Sequence, residues 1–429
     1  MKLLNETAKK KYLIYGIGKS GISSLKYLNK KNECYIFDDN QSKITKPFKK
    51  FYIPKSNLLN YKFDNIIISP GINAKNCILS SYLKKNHSKI ITDLDIFYKF
   101  QPKIPVITIT GTNGKSTTCK LLYNILVNHR IDARLTGNIG NPILSEKNIT
   151  KNTIFVVEAS SYQLAYSKFF KSKFSIIVNI SPDHLERHTT MRNYINSKLK
   201  SVTKQTKNDI SIIPNISLIK NVLKKKKIKS KIIFLKKKKY SNLKSKIKNN
   251  YFKEKVNFQN ITFLFELLKY LNLDLNTTLK TVNNFKPLKF RQQIIHNSKF
   301  LKIINDSKST TLSSTTPFLQ SNDKVYWILG GLFKKGDKFN LNKRYFNRLE
   351  AFIYGKDQKQ FLKIFNNKFK TYLANDLKST LKLISKVKKK EKSKITILFS
   401  PAAASFDQFK DFEHRGDQFN KLTKKYLLT

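Results

Sequence analysis

The segment Ile107-Thr108-Ile109-Thr110-Gly111-Thr112-Asn113-Gly114-Lys115-Ser116-Thr117 puts a glycine-containing loop between a β-branched run and a lysine followed by two hydroxyls. Such a loop offers backbone N–H donors to phosphate oxygens, the lysine is a cation for the β and γ phosphates, and the first hydroxyl is an oxygen for Mg²⁺. A strict phosphate-loop pattern has glycine where Ile109 stands, so the literal motif fails while its working parts survive. A nucleoside triphosphate is therefore the expected ligand of Gly111, Thr112, Asn113, Gly114, Lys115, Ser116 and Thr117. Downstream, Phe155-Val156-Val157-Glu158 and Asn179-Ile180-Ser181-Pro182-Asp183-His184-Leu185 each carry an apolar run to a group able to ligate a metal. Glu158 and His184 could hold Mg²⁺ or Mn²⁺ beside the triphosphate, the alternative being a histidine with a purely structural place.

A second glycine loop, Gly16-Ile17-Gly18-Lys19-Ser20-Gly21, follows an apolar run, with Asp38 at the end of the next one. Glycines there let backbone N–H groups approach a diphosphate, and the acid can bond a ribose or base edge. Alone this loop fits NAD, or simply a tight β–α turn. With the triphosphate assigned to the middle of the chain, a second nucleotide as substrate is the economical reading.

Both loops require strands that end where helices begin. Short apolar runs alternate with helix-length segments: Lys11 to Gly16, a helix through Leu25 to Leu28, Cys34 to Phe37 and Asn65 to Ser69. This alternation predicts an α/β protein with parallel sheets. Gln101-Pro102-Lys103-Ile104-Pro105 breaks any helix ahead of the strand Val106 to Thr110, and marks the first domain boundary. Strands are expected at Ile154 to Val157 and Ser175 to Asn179, a second boundary at Asn284-Phe285-Lys286-Pro287, and further strands at Val325 to Leu329, Ala351 to Tyr354 and Ile395 to Phe399.

Composition narrows the class. A chain of 429 residues, 40% hydrophobic, has material for about three domains. The net charge of +57 comes from 84 Lys and Arg against 27 Asp and Glu, and the excess is almost wholly lysine. Base-reading proteins depend on arginine forks, which are scarce here, so the charge is read as compositional bias at tolerant surface positions and no specific nucleic-acid partner is expected. The runs Lys224 to Lys227 and Lys236 to Lys239 are accordingly expected to form a solvated rim or mobile loop. Cys34, Cys77 and Cys119 form no CxxC pair, which suits a reducing, cytoplasmic setting. The polar N-terminus fits no signal peptide, and no run approaches the roughly 18 apolar residues of a membrane span.

Taken together, Gly111 to Thr117, Glu158-Ala159-Ser160-Ser161-Tyr162-Gln163-Leu164 and Asp183-His184-Leu185-Glu186-Arg187-His188 resemble the ATP-dependent Mur ligases of peptidoglycan synthesis. Ser400-Pro401-Ala402-Ala403-Ala404-Ser405-Phe406-Asp407-Gln408-Phe409-Lys410-Asp411-Phe412-Glu413-His414-Arg415-Gly416-Asp417-Gln418-Phe419 is similar to the signature of the D-glutamate-adding branch. The resemblance runs in order from Gly16 to Phe419. It implies an N-terminal Rossmann-like domain over 1–101 for a UDP sugar, a central P-loop ATPase with a mostly parallel sheet over 102–287, and a C-terminal Rossmann-like domain over 288–429 for the amino acid. It implies the substrates ATP, UDP-N-acetylmuramoyl-L-alanine and D-glutamate, an acyl-phosphate and then a tetrahedral intermediate, two Mg²⁺ ions with Mn²⁺ an alternative, and a monomer in the cytoplasm.

Site residues follow position by position. The resemblance implies that Lys115, His184 and Lys198 carry the catalysis, with Ser116, Glu158, His184 and a carbamylated Lys198 as metal ligands. Ser20, Asp38, Asp39, Ser69, Pro70, Gly71, Asn138, Ser160 and Gln163 match the UDP-sugar site. Asn257, Asn260, Arg291, Asp306 and Lys308 match further ATP contacts, and Thr310, Lys334, Ser405 and Phe412 the D-glutamate site, Phe412 through backbone more than ring. The chain departs from the pattern at Val256, at Lys289-Phe290-Arg291 and around Lys334 and Lys335. A sister Mur ligase or a folylpolyglutamate-synthase-like enzyme is the alternative; a basic nucleic-acid-binding protein would leave Lys115, Glu158 and His184 unexplained together.

Overall fold

The computed structural model describes residues 9–236, 238–334, 336–389, 391 and 393–428. Lys335, Lys237 and the first residues of the polar N-terminus, each part of an expectation above, lie outside the described residues. Three sheets carry the chain. The first joins β1 (Lys11–Tyr15), β2 (Glu33–Phe37), β3 (Asn65–Ile68) and β4 (Ile90–Ile91) in the order β2-β1-β3-β4, all parallel. The second joins β5 (Val106–Thr110), β6 (Ala133–Gly137), β7 (Ile154–Glu158), β8 (Phe174–Ile177), β9 (Ile210–Pro214) and β10 (Lys231–Leu235) in the order β10-β9-β8-β5-β7-β6, again all parallel. In the third, β11 (Gln293–Asn297), β12 (Leu301–Asn305), β13 (Lys324–Gly330), β14 (Leu349–Tyr354), β15 (Lys370–Ala374) and β16 (Ile395–Phe399) run in the order β11-β12-β16-β13-β14-β15, with only β11 and β12 antiparallel.

The strand orders decide where ligands can sit. Each sheet changes winding direction beside an early strand: between β1 and β3, between β5 and β8, and beside β13 and β16. At such a point the loops leaving neighbouring strands diverge and open a crevice at the carboxyl edge. The loops there are Gly16 to Gly21 with Ser69 to Ile72, Gly111 to Gly114 with Asn179, and the loops after β12, β13 and β16.

By contact density the chain divides into one unit of Met1–Ile180 with Arg187–Asn284, and another of Ser181–Glu186 with Phe285–Thr429. In the first unit one of the apolar cores runs from the first sheet into the second, joining Ile14, Ile36, Phe97, Val106, Phe155 and Val157. In the second unit each face of the six-stranded sheet buries its own core, one around Trp327, Leu329 and Phe365, the other around Tyr326, Phe352, Phe399 and Phe419.

One local expectation is corrected. β8 stops at Ile177, short of the expected Asn179, whose side chain accepts hydrogen bonds from the loop after β5 and whose backbone O accepts from Thr112 N. The described residues of the two lysine runs lie in turns and coil and are mostly exposed, as expected, while Lys231–Leu235 between them forms β10 at the sheet edge, where Ile232, Ile233 and Phe234 are half-buried.

Arg415, quoted only as part of a signature, is fully buried in the helix Phe412–Leu427. It donates to Ser307 Oγ at 3.1 Å, Ala403 O at 3.0 Å and Ser307 O at 2.8 Å, tying the loops after β12 and β16 together. Arg415→Met leaves those carbonyls unpaired in the interior. Thermal unfolding followed by circular dichroism should show the second unit destabilised by on the order of 3 kcal/mol.

Candidate functional site

The phosphate loop is built by its neighbours. β5 ends at Thr110 and the helix Lys115–Asn128 starts on Gly114, which holds φ +79°. A methyl group at Gly114 would lie 2.1 Å from Asn260 Nδ2, so a residue other than glycine meets both strain and a clash. Asn179 Oδ1 accepts from the Thr112 and Asn113 N–H groups at 3.2 and 2.8 Å, while its Nδ2 donates to Asn113 O at 2.8 Å and Asn260 Oδ1 at 3.1 Å. With the outer loop so held, the first-turn N–H groups of the helix, which have no intrahelical acceptors, are the donors left for phosphate. Lys115 Nζ donates to Thr112 O at 2.8 Å, and Ser116 is buried in the same turn.

Behind the loop stands Glu158, at the end of β7 and 1% exposed. Its Oε1 accepts from Asn138 Nδ2 at 3.1 Å, while Oε2 is buried with no hydrogen-bond partner among the described residues. Burial drives the nearby Cys119 thiol well above its ordinary pKa; Glu158 adds to the rise and Lys115 opposes it, so both charges reach the same spot. An uncompensated buried carboxylate oxygen beside a phosphate loop invites a cation.

Lys198 is buried in the helix Met191–Thr203 and donates to Gly111 O at 2.7 Å, with its Nζ 4.5 Å from the centroid of the Tyr194 ring. Tyr194 OH lies 3.1 Å from Thr112 Oγ1. Asn257 Nδ2 donates to Tyr251 O at 3.0 Å, and Tyr251 OH lies 3.3 Å from Thr117 Oγ1. Asn257 and Asn260, expected at the adenine side, thus brace this loop from the helix Lys255–Leu271.

The N-terminal loops enclose a cavity of about 400 Å³ lined by Ser20, Asp38, Ser69, Pro70, Gly71, Asn138 and Gln163 among the expected residues. A Cβ at Gly21 would fall 1.9 Å from Gly16 O, so helix and strand approach closely only without a side chain there. Asp38 is buried and already engaged, accepting from Ile17 N at 2.7 Å and Asn40 N at 2.9 Å. Asp39, exposed and bonded by Tyr15 OH, and Ser160, which caps the helix Ser161–Tyr166, are not among the lining residues. Lys43 and Asp93 line the cavity without having been expected, and Lys19 lines it from the glycine loop already read as facing a diphosphate; the two lysines suit that ligand. Lys43 was hidden among many lysines, and Asp93 by its place in a helix. Burial pushes the Asp93 carboxyl up to about 6.

In the second unit, backbone bonds of 2.9 Å between Leu332 and Ala404 and of 3.0 Å from Ala402 N to Ser309 O bring the loops of Thr310, Lys334 and Ser405 together. Lys334 Nζ bonds Asp183 Oδ1 at 3.3 Å. His184, in the left-handed region at φ +56°, has Nε2 3.3 Å from Asp183 Oδ2 and Nδ1 3.5 Å from Glu186 Oε1, and the hydrogen bond from His184 holds Glu186 down at about 2. Arg291 and Lys308 both face the Phe412 ring, at 5.7 and 3.9 Å from its centroid, while Phe412 O accepts from Ser307 Oγ at 2.8 Å. Asp306 is buried, accepting from Gln292 N and Ser400 Oγ at 3.1 Å each. Among the described residues no group of three or more His, Cys, Asp or Glu converges as a metal site, and no helix is long and apolar enough to cross a membrane.

Sequence reasoning missed Asn179, although its motif was in view; an amide directly after a strand neighbouring the phosphate-loop strand was the available signal. Tyr251 had none.

Residues 109–284 match the Mur ligase middle domain family. Over nearly its whole length the chain is 32% identical to the UDP-N-acetylmuramoylalanine–D-glutamate ligase of Rickettsia bellii, covering 95% of this chain and 96% of that one. Among solved structures it is similar in fold to the UDP-N-acetylmuramate–alanine ligase MurC of Thermotoga maritima, 18% identical, TM-score 0.56, covering 97% and 100% of the two chains. It is also similar to the MurF ligase of Thermotoga maritima in complex with ADP, 16% identical, TM-score 0.55, covering 86% and 91%.

Two outcomes follow from this geometry. Asn179→Ala leaves the Thr112 and Asn113 N–H groups without their side-chain acceptor, and ADP affinity measured by calorimetry should fall about 10-fold or more. Burial raises Asp306 from the ordinary 3.8 to about 7. The native protein therefore holds a proton that the unfolded chain releases, so this contribution to stability is complete below pH 3.8 and is lost as pH rises through about 7. Between pH 5 and 8 the melting temperature of Asp306→Asn should fall less than that of the parent, by about 2–4 °C.

Proposed function

We propose, from the premise that this chain belongs to the Mur ligase family, that it joins D-glutamate to UDP-N-acetylmuramoyl-L-alanine with conversion of ATP to ADP and phosphate, in peptidoglycan precursor synthesis. The observation that carries the reading is the phosphate loop held by Asn179, with Lys115 and the unpartnered carboxylate oxygen of Glu158 beside it. The proposed division of labour gives residues 1–101 to the UDP sugar, 102–287 to ATP and 288–429 to the amino acid.

A carboxylate oxygen of the UDP-linked alanine attacks the γ phosphorus and ADP leaves. The amine of D-glutamate then attacks the acyl carbon, losing a proton, and phosphate leaves from the tetrahedral centre. Phosphoryl transfer needs charge neutralisation and alignment more than covalent help. Lys115 supplies a fixed cation, and the first-turn N–H groups hold the phosphate chain. The donor set of Ser116 and Glu158 fits Mg²⁺: one hydroxyl and one buried carboxylate oxygen lacking a partner, both hard ligands. Magnesium there would neutralise phosphate charge. Metal ligation by His184 is carried over from the resemblance, as is carbamylation of Lys198.

Lys198 is suited to that modification. Its Nζ lone pair would attack CO₂, forming an N–C bond with loss of a proton. The carbamate keeps one N–H for Gly111 O and gains two oxygens, which an ammonium lacks. Arg291, Asp306 and Lys308 are the proposed further nucleotide contacts. Thr310, Lys334, Ser405 and Phe412 are assigned to D-glutamate, whose two carboxylates call for cations such as Lys334. In the N-terminal cavity, Ser69, Asn138 and Gln163 with their neighbours are assigned to the UDP sugar.

Phosphate release from the purified chain should require ATP, Mg²⁺, UDP-N-acetylmuramoyl-L-alanine and D-glutamate together; release without D-glutamate contradicts the reading. Lys115→Ala should lower the rate about 10²- to 10³-fold, since a donor aimed at transition-state charge is worth that much. Lys198→Ala should lose activity and regain part of it with millimolar acetate or formate; full activity without them refutes the carbamate.

A further inference from the structure

The chemistry above gives no task to Arg187 or to the rings behind it. Arg187 donates from Nη1 to Pro70 O at 2.9 Å and from Nη2 to Ile72 O, and its guanidinium carbon lies 4.0 Å from the centroid of the Tyr162 ring. Pro70 and Ile72 belong to the loop after β3 that lines the N-terminal cavity. The Tyr162 ring stacks on His188 at 5.7 Å, and His188 Nε2 is 2.9 Å from Ser161 Oγ. His188 in turn packs 5.4 Å from the ring of Tyr194, whose hydroxyl meets Thr112 Oγ1 of the phosphate loop at 3.1 Å. Contacts therefore run without a break from the wall of one ligand cleft to the loop that forms the other, inside one compact unit.

We propose that Arg187 is a positioning residue that couples occupancy of the UDP-sugar cleft to the geometry of the phosphate loop. The inference rests on the ligase reading. The cavity loop exposes two carbonyls to one planar fork, so a ligand that draws this loop inward tightens or shifts both guanidinium bonds at once. The guanidinium bears on Tyr162, and the stacked rings pass the displacement to Tyr194 and Thr112. Coupling of two binding equilibria is reciprocal: the UDP sugar tightens the nucleotide by the factor by which the nucleotide tightens the UDP sugar. Lysine keeps a charge that can reach the carbonyls but lacks the planar fork and its face against the Tyr162 ring, which makes Arg187→Lys an informative partial variant.

Calorimetric titration of the full chain with ADP, with and without saturating UDP-N-acetylmuramoyl-L-alanine, reads the coupling directly. The parent should bind ADP about 5-fold tighter or more with the UDP sugar present. In Arg187→Gln the ratio should fall to within about twofold of unity, with Arg187→Lys between. Tyr194→Phe keeps the ring and removes the contact to Thr112; it should also uncouple, and it carries the test if Arg187→Gln does not fold. A parent with no coupling, or an Arg187→Gln that retains it, overturns the proposal. Phosphate release with all four components present is measured in parallel. Its failure in the parent refutes the ligase reading; activity with uncoupled binding refutes only the role of Arg187.

Discussion

The Asn179 amide is the contact on which the catalytic unit depends. A loop of Gly111, Thr112, Asn113 and Gly114 has few internal ways to satisfy its backbone, and phosphate binding requires that it keep some donors free. One side chain resolves both demands, taking the outer N–H groups at 3.2 and 2.8 Å and returning two donors, one to Asn113 and one to Asn260. All four bonds are internal to the protein, and a loop held by its own chain costs less binding energy to order. The close fit of Gly114 against Asn260 shows how little tolerance is left.

The same unit keeps a deliberate electrostatic deficit. Glu158 lies in the interior with one oxygen bonded by Asn138 and the other without a hydrogen-bond partner among the described residues, a place that suits a cation. In the second unit the buried arginine shows the opposite solution, since each of its three nitrogens donates to an acceptor, two of them backbone carbonyls of loops that must be held together.

Much of the architecture was legible because it is written in local pattern. Val106–Thr110 and Ile395–Phe399 emerge as expected, since continuous apolar runs bounded by turn residues leave a parallel strand little freedom. The N-terminal cavity was legible too, with Ser20, Asp38, Ser69, Asn138 and Gln163 on its wall. What stayed hidden depends on distant partners. The amide of Asn179 reveals its purpose only against a loop more than sixty residues away, and the two backbone N–H groups that Asp38 also accepts show only in the folded chain. β10 was overlooked because lysine on both sides masks a short run that is half-buried only once β9 is beside it.

That strand has a further consequence for the chain's extreme charge. β10 leaves one row of peptide groups without a neighbouring strand, and its Ile232-Ile233-Phe234 would suit pairing with the same stretch of another molecule. Lysines crowd both ends, so two such edges approaching in register bring like charges into opposition. Repulsion of that kind opposes pairing of such edges, and concentrated salt or a polyanion, by screening or neutralising it, weakens that opposition.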